Sequence, residues 1–291
     1  MFIFMLSERQ VKSVTGLSKA KIVKMIPSFS EAYYELKAQH GKCKNPKRPG
    51  APLKYKMRFR LIYTLVFLKS NQTKDFIAAI FKVPRSSMAA LINEGIQVIN
   101  FACEKLGVAP ARDIESTMDA LEKLGKRVKI DGTERPICRP KQYQEAYYSG
   151  KKKLHTVKNL VVISGLKSKR IDVFSQTVCG SVHDFEMFKH MEMPKYLEGK
   201  ALDVDLGFQG IESYCMNSII NIPEKKPKNG ELTAAQKQKN KEKSSIRVKI
   251  EHAIGGIKIF QAASSRLRVR IDKLRDDIGY ATASLWNYKI T

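Results

Sequence analysis

The chain has 291 residues, 43% of them hydrophobic, and carries 53 Lys and Arg against 28 Asp and Glu, for a formal net charge of +25. That length supports one large domain with a smaller one in front, or two medium domains. The charge points to nucleic acid bound through counterion release from phosphates. An anionic membrane surface is disfavoured, because there is no basic amphipathic helix with a bulky apolar face and no apolar stretch near 18 residues.

Met1 to Leu6 is apolar but too short for a signal peptide. Residues 7–42 are predicted as short helices, with a break at Pro27 and a helical stretch around Ser30, Glu35 and Lys37. The five cysteines (Cys43, Cys103, Cys138, Cys179 and Cys215) are scattered, odd in number and without a C-x-x-C pair. A disulfide framework or zinc site is therefore disfavoured, and His40 with Cys43 lacks a second ligand pair. These features describe a reduced, intracellular protein. A Pro- and Gly-rich loop at Asn45 to Leu53 marks a boundary.

From Lys54 the spacing of Phe59, Ile62, Leu65 and Val66 predicts a helix. Thr73 then caps a second, with Phe76, Ile77, Ile80 and Phe81 on one face. A turn at Val83 to Ser86 leads to a third helix with Met88, Leu91, Ile92 and Ile96. Two short helices joined by a tight turn fit a helix-turn-helix whose reading helix opens on Arg85, Ser86 and Ser87, although such pairs also arise from core packing alone.

From Lys126 the period changes to strands: Arg127–Ile137, Lys152–Gly165 with its apolar run Leu160 to Ile163, Arg170–Gly180, Leu202–Gly210 and Ile219–Pro223. Gly132 and Gly150 are predicted at turns. A helix follows Ser181 or Asp184, a short helical piece follows Gly210, a long helix spans about Thr233 to Phe260, and a last one starts near Asp272. The order β-β-β-α-β-α-β-α suggests an α/β domain with a mixed sheet and helices on both faces.

Acidic residues stand out in so basic a chain. Asp131 closes a strand before Gly132-Thr133-Glu134, and Asp205 closes one before Leu206-Gly207. Strand ends that meet in a sheet set such side chains together, and two like charges there are costly unless a cation lies between them. Hard divalent cations take oxygen ligands, and a pair of them can activate the attacking oxygen and stabilise the leaving one at phosphorus. Asp before Gly is also a common turn pair, so each residue alone could serve a turn, as could Asp203; Asp184 could simply cap a helix. Glu251 sits on the long helix with Arg247 four residues before and Lys258 seven after, all within about 60° of one face. The trio fits a metal ligand flanked by phosphate contacts, or an Arg247–Glu251 surface ion pair. His252 packs or faces solvent, and Gly255-Gly256 marks a close approach or a helix break.

Four stretches carry a resemblance: Asp131-Gly132-Thr133-Glu134 and the segment through Ser164, Gly180 to Phe188, Asp205 to Gly210, and Pro223 to Phe260. Together they resemble the DDE superfamily endonuclease domain of bacterial insertion-sequence transposases, related to eukaryotic Harbinger elements, over about Val128 to Asn287. The resemblance implies a ribonuclease-H-like (retroviral integrase-like) five-stranded mixed sheet at 126–291. It places a helix-turn-helix DNA-binding domain at 54–110, after an N-terminal helical segment at 1–44. It implies Asp131, Asp205 and Glu251 as catalytic, metal-holding carboxylates for two Mg²⁺ (or Mn²⁺), with Asp131 bridging. Arg247 and Lys258 match flanking basic positions, while Ser244 stands where relatives often carry Tyr. Water would free a 3′-hydroxyl at the element end, and that hydroxyl would attack target DNA.

The implied partners are double-stranded DNA, both element ends and target, held by a homodimer or larger assembly in a bacterial cytoplasm, on the nucleoid, with no membrane. Lys225 to Lys249 together with Arg266, Arg268 and Arg270 are expected to meet DNA backbone, the three arginines facing one way in an extended segment. The competing expectations are a catalytically silent, domesticated DNA-binding relative and an RNA-binding protein. No base-stacking RNA motif supports the latter.

Overall fold

The computed structural model describes residues 5–39, 55–227 and 230–291. Met1–Phe4, the His40 and Cys43 pair, the loop at Asn45–Leu53 and Lys228 lie outside the described residues. The chain divides into two units, Met1–Ala109 with Ile257–Thr291, and Pro110–Gly256. The C-terminal segment, predicted as part of a domain at 126–291, thus groups with the N-terminal helices.

In the first unit, α1 (Glu8–Thr15) starts at a capping box in which Ser7 and Gln10 satisfy each other's backbone N–H. Helix α2 (Lys19–Gln39) runs through Pro27, where the sequence predicts a break. An interior proline costs about 3 kcal/mol. Ile22 and Met25 before it and Phe29 and Ala32 after it are buried, and burial on both sides holds the helix together. Helices α3 (Met57–Ser70), α4 (Lys74–Phe81) and α5 (Arg85–Lys105) follow the apolar spacing, with Thr73 Oγ1 accepting from Phe76 N at 3.2 Å to cap α4. The last is long rather than short, because Met88, Ile92, Ile96, Ile99 and Cys103 form one continuous buried face. On α4, by contrast, Phe76 and Ile80 remain exposed.

The second unit opens with α6 (Ile114–Lys123), where the sequence predicts no element; the Asp113 carboxylate accepts from Ser116 N at 2.8 Å to start it. Then come β1 (Arg127–Pro136), α7 (Gln144–Tyr147), β2 (Tyr148–Ser149), β3 (Leu154–Ser164), β4 (Val173–Phe174), β5 (Val178–Cys179), α8 (Asp184–His190), α9 (Met193–Leu197), β6 (Ala201–Asp203), β7 (Ile219–Asn221) and α10 (Ala234–Lys258), which leaves the unit after Gly256. The sheet runs β2-β3-β1-β6-β7, with β4 and β5 also paired to β3. Strand β1 is antiparallel to β3 and parallel to β6, which is parallel to β7.

Seven strand segments replace the predicted five. The third predicted strand is split, because Asn159 Nδ2 bonds the Ser175 carbonyl at 2.8 Å and buried Arg135 donates to Thr177 Oγ1 at 2.8 Å. These side chains take over where the ladder stops. Gly132 lies within β1 opposite Leu160, not at a turn. One sheet face carries Val128, Ile130, Leu160 and Val162 against Leu121 of α6, Phe188 of α8 and Leu197 of α9. The alternate residues of β1 (Arg127, Lys129, Asp131, Thr133 and Arg135) point to the other face, where Arg247 of α10 meets Asp131.

Helices α11 (Gln261–Ser264) and α12 (Asp272–Ile290) return to the first unit. Buried amides fasten them: Asn100 Nδ2 donates to the Asp277 carbonyl at 3.1 Å, and Asn287 Nδ2 to the Val108 carbonyl at 2.9 Å. No helix among the described residues is long and apolar enough to cross a membrane.

Helices α3 and α5 approach closely at Gly95, where an added Cβ would sit 2.0 Å from Thr64 Oγ1. Gly95→Ala gains about 1 kcal/mol of helix propensity, but overpacking costs about 1–3 kcal/mol, so a net loss of stability is expected. Adding Thr64→Ala should recover it, with a coupling above about 1 kcal/mol in a urea-unfolding double-mutant cycle. Additive effects would mean that Thr64 swings aside freely.

Candidate active site

The site is built by the register of two parallel strands. Lys129 of β1 pairs with Asp203 of β6, and the parallel pairing ends there. Two residues further on each strand are Asp131 and Asp205, near enough beyond the end of the short strand for the Asp205 charge to act on the Asp131 carboxyl. Asp131 therefore does not close its strand, since β1 continues to Pro136, while Asp205 leaves the sheet and caps a 3-10 turn by accepting from Gly207 N at 2.8 Å. Asp203, which the sequence leaves level with Asp205, is fully committed: Arg127 grips both its oxygens at 2.8 Å, and Asn221 Nδ2 donates to it at 3.1 Å.

Burial pushes the Asp131 carboxyl up to about 6, with the Asp205 charge and, more weakly, Asp184 pushing the same way. Arg247 and the Gly132 N–H, which donates to Oδ1 at 2.9 Å, pull it down. Arg247 Nη2 stands 3.4 Å from Asp131 Oδ2, and the two side chains are only 13% and 18% exposed. The Arg247 Nε is buried without a hydrogen-bond partner among the described residues. The sequence marks Arg247 as a phosphate contact or as the ion-pair partner of Glu251; the structure makes it the cation beside Asp131.

Asp184 is the neighbour that the sequence treats as a helix cap. It lies in the first turn of α8, after His183 at the cap position, and an added Cβ at Gly132 would come within 2.3 Å of its Oδ2. Glycine follows Asp131 to admit this carboxylate rather than to make a turn. Lys158 Nζ holds Asp184 at 3.3 Å and Glu134 at 3.5 Å, and donates to the Val182 carbonyl at 2.9 Å.

Glu251 is not gathered into the site. It is exposed on α10, one turn past Arg247. Among the described residues no group of three or more His, Cys, Asp or Glu side chains is arranged to hold a metal. The guanidinium of Arg247 supplies the positive charge that partly neutralises Asp131. Two half-buried carboxylates whose charges act on one another form a hard-oxygen donor set that fits a divalent cation.

Of the other predicted residues, His252 is exposed and Ser244 is exposed on α10. The helix continues through Gly255-Gly256, and no atom lies within 4 Å of a Cβ added at Gly255. Arg85 is 80% exposed and pairs with Asp75 at 2.6 Å; Ser86 is exposed and Ser87 half-buried. Lys258 belongs to the first unit, as do Arg266, Arg268 and Arg270, which are all exposed and alternate with buried Leu267 and half-buried Val269.

The folded chain holds the Asp131 proton more tightly than an ordinary aspartate at 3.8. This group therefore contributes fully to stability below about pH 4, and the contribution is lost as pH rises through about 6. In chelator, Asp131→Asn is expected to raise Tm by several degrees at pH 8, up to about 3 kcal/mol, with the gain vanishing by pH 4. Equal melting of the two proteins at pH 8 would show that Arg247 already offsets the whole burial penalty.

Residues 130–287 match the family model described as DDE superfamily endonuclease. A relative from Microchaete diplosiphon, described as "Probable transposase for insertion sequence element IS702", is 27% identical over 292 residues, covering 98% of this chain and 96% of its own. No solved structure matches the chain. The family match takes in more than half of the sequence, including both adjacent aspartates, and the chain belongs to the DDE superfamily endonuclease family.

Proposed function

We propose that this protein is a transposase that binds the ends of a mobile DNA element, cuts them by metal-dependent phosphodiester hydrolysis and joins the 3′-hydroxyl ends to target DNA. The observation that carries this is the pair Asp131 and Asp205, set together by strand register within a domain of an endonuclease family. An antiparallel β1–β3 pair extended by β4 and β5, followed by two parallel strands, supports a ribonuclease-H-like fold. The turn between α4 and α5 supports a helix-turn-helix that presents Arg85, Ser86 and Ser87 to DNA.

Asp131 and Asp205 would hold divalent cation, Mg²⁺ or Mn²⁺, with Glu251 as the third carboxylate. When bound, such ions supply charge neutralisation at the phosphate and a more acidic water. The chain's own contributions are distinct. Asp131 carries its negative charge in a buried place where it attracts a cation. Arg247, with an unpaired N–H, is set to receive a phosphate oxygen once its hold on Asp131 is relaxed. Lys258 and the lysine-rich stretch through Lys249 would meet backbone phosphates. Two ends must be held together, so a dimer or larger assembly on DNA is part of the proposal.

Exposed Glu251 is the observation that favours a second reading, a chain that binds element ends and cuts nothing. Incubation with its own flanking ends and Mg²⁺ or Mn²⁺ decides between them. Wild type should nick, and Asp131→Ala and Glu251→Ala should each lose at least about a thousandfold in rate while binding the ends as before. Arg85→Ala with Ser87→Ala should weaken binding to the ends. Absence of nicking by wild type under these conditions establishes the silent reading.

Replacing Lys237, Lys239 and Lys241 by Gln is expected to weaken binding evenly across sequences and to lower the salt slope by about one for each lost phosphate contact. An unchanged slope would leave these lysines as a solvated surface.

A further inference from the structure

Four cationic side chains from three separate stretches of sequence meet at one cavity of about 430 Å³ within the first unit. Lys74 comes from the first turn of α4, Arg85 opens α5, and Arg268 and Arg270 come from the extended segment before α12. Asp75 is the one carboxylate among the described residues lining it, and it is paired with Arg85 at 2.6 Å. Among the described residues no carboxylate pairs with the other three cations: Lys74 Nζ donates to Asn93 Oδ1 at 2.5 Å, and Arg268 Nη1 to the Asn71 carbonyl at 3.2 Å. Burial lowers the Lys74 ammonium below its ordinary value, as expected where no anion compensates it.

Like charges gathered around a concave surface raise one another's energy, and an anion seated among them removes that cost. The first turns of α4 and α5 face the same space, so their N-terminal partial charges add to the field. The volume suits a sugar-phosphate unit rather than a single ion. Arg266, although it alternates with Arg268 and Arg270, does not line the cavity.

We infer that this cavity is a seat for a backbone phosphate of duplex DNA, closed on one side by the Arg268–Arg270 strap and on the other by the start of α5. It deepens the DNA-binding reading above and rests on it. The residues that open α5 would read bases, and the seated phosphate would fix the register in which they do so. The strap makes the C-terminal segment part of the recognition surface.

The test measures binding of a fluorescent duplex by anisotropy across a salt series, for full-length wild type, Lys74→Ala, Arg270→Ala and the double variant. Arg270→Gln repeats the measurement with a milder change, and Lys24→Ala removes an exposed charge that does not line the cavity. Each cavity variant should bind roughly 3- to 10-fold more weakly, with a salt slope lower by about one, and Lys24→Ala should stay close to wild type. Equal losses in Lys24→Ala would reduce the effect to net charge and overturn the seat. If inorganic phosphate binds wild type but not the double variant, while the duplex binds both alike, the cavity serves a free anion and the inference fails. If wild type binds no duplex, the DNA reading itself falls and takes this site with it; duplex binding that is strong and unchanged in every variant removes the seat alone.

Discussion

The register between β1 and β6 is the constraint on which the second unit's chemistry depends. Parallel strands place equivalent residues level with one another, so the Lys129–Asp203 pairing at the end of β6 delivers the chain to Asp205 close enough for its charge to act on Asp131. A slip of one residue would turn one of them into the apolar layer with Ile130 and Val204. The bidentate grip of Arg127 on Asp203 secures that alignment from within the pair, because it joins the two strands two residues before the aspartates. The same face is unusually polar for a sheet interior: Lys129, Thr133 and Arg135 are all buried on it. Each is a reason for side-chain geometry to be fixed before any ligand arrives.

Much of this was legible in the sequence. Strand and helix periods located most of the elements, and the two aspartates stood out as strand-end carboxylates in a basic chain, with their roles supplied by the resemblance. What escaped depended on partners distant in the chain. Asp203 and Asp205 look alike until Arg127, far upstream, is seen to take one of them. Gly132 looks like a turn residue until Asp184 is found against it. Pro27 reads as a break because its local cost is visible and the burial of Phe29 and Ala32 is not. The third strand reads as continuous because nothing local reveals that Asn159 and Arg135 will intervene. Glu251 was the residue placed by resemblance and helix spacing, and spacing fixes only its relation to Arg247, not the conformation in which either faces Asp131.

Arg247 supplies the cation beside Asp131. A mostly buried carboxylate near another is costly without a cation, and the arginine supplies the positive charge at 3.4 Å, with an Nε–H that has no partner among the described residues. A cation entering there competes with a tethered guanidinium rather than with water, so ion affinity and arginine placement are linked quantities.

The two units are interleaved along the chain: the first is begun by residues up to Ala109 and finished only by those after Gly256. During synthesis the early helices therefore wait, with the faces meant for α12 uncovered, while the whole intervening unit is made. The buried amides of Asn100 and Asn287 meet their carbonyl partners only across that long separation. Non-local closure of this kind is slow and leaves apolar surface open in the meantime. A ribosome stalled before the last helix would release a chain whose second unit has all its residues and whose first unit has no lid on its core, a natural client for chaperones and proteases.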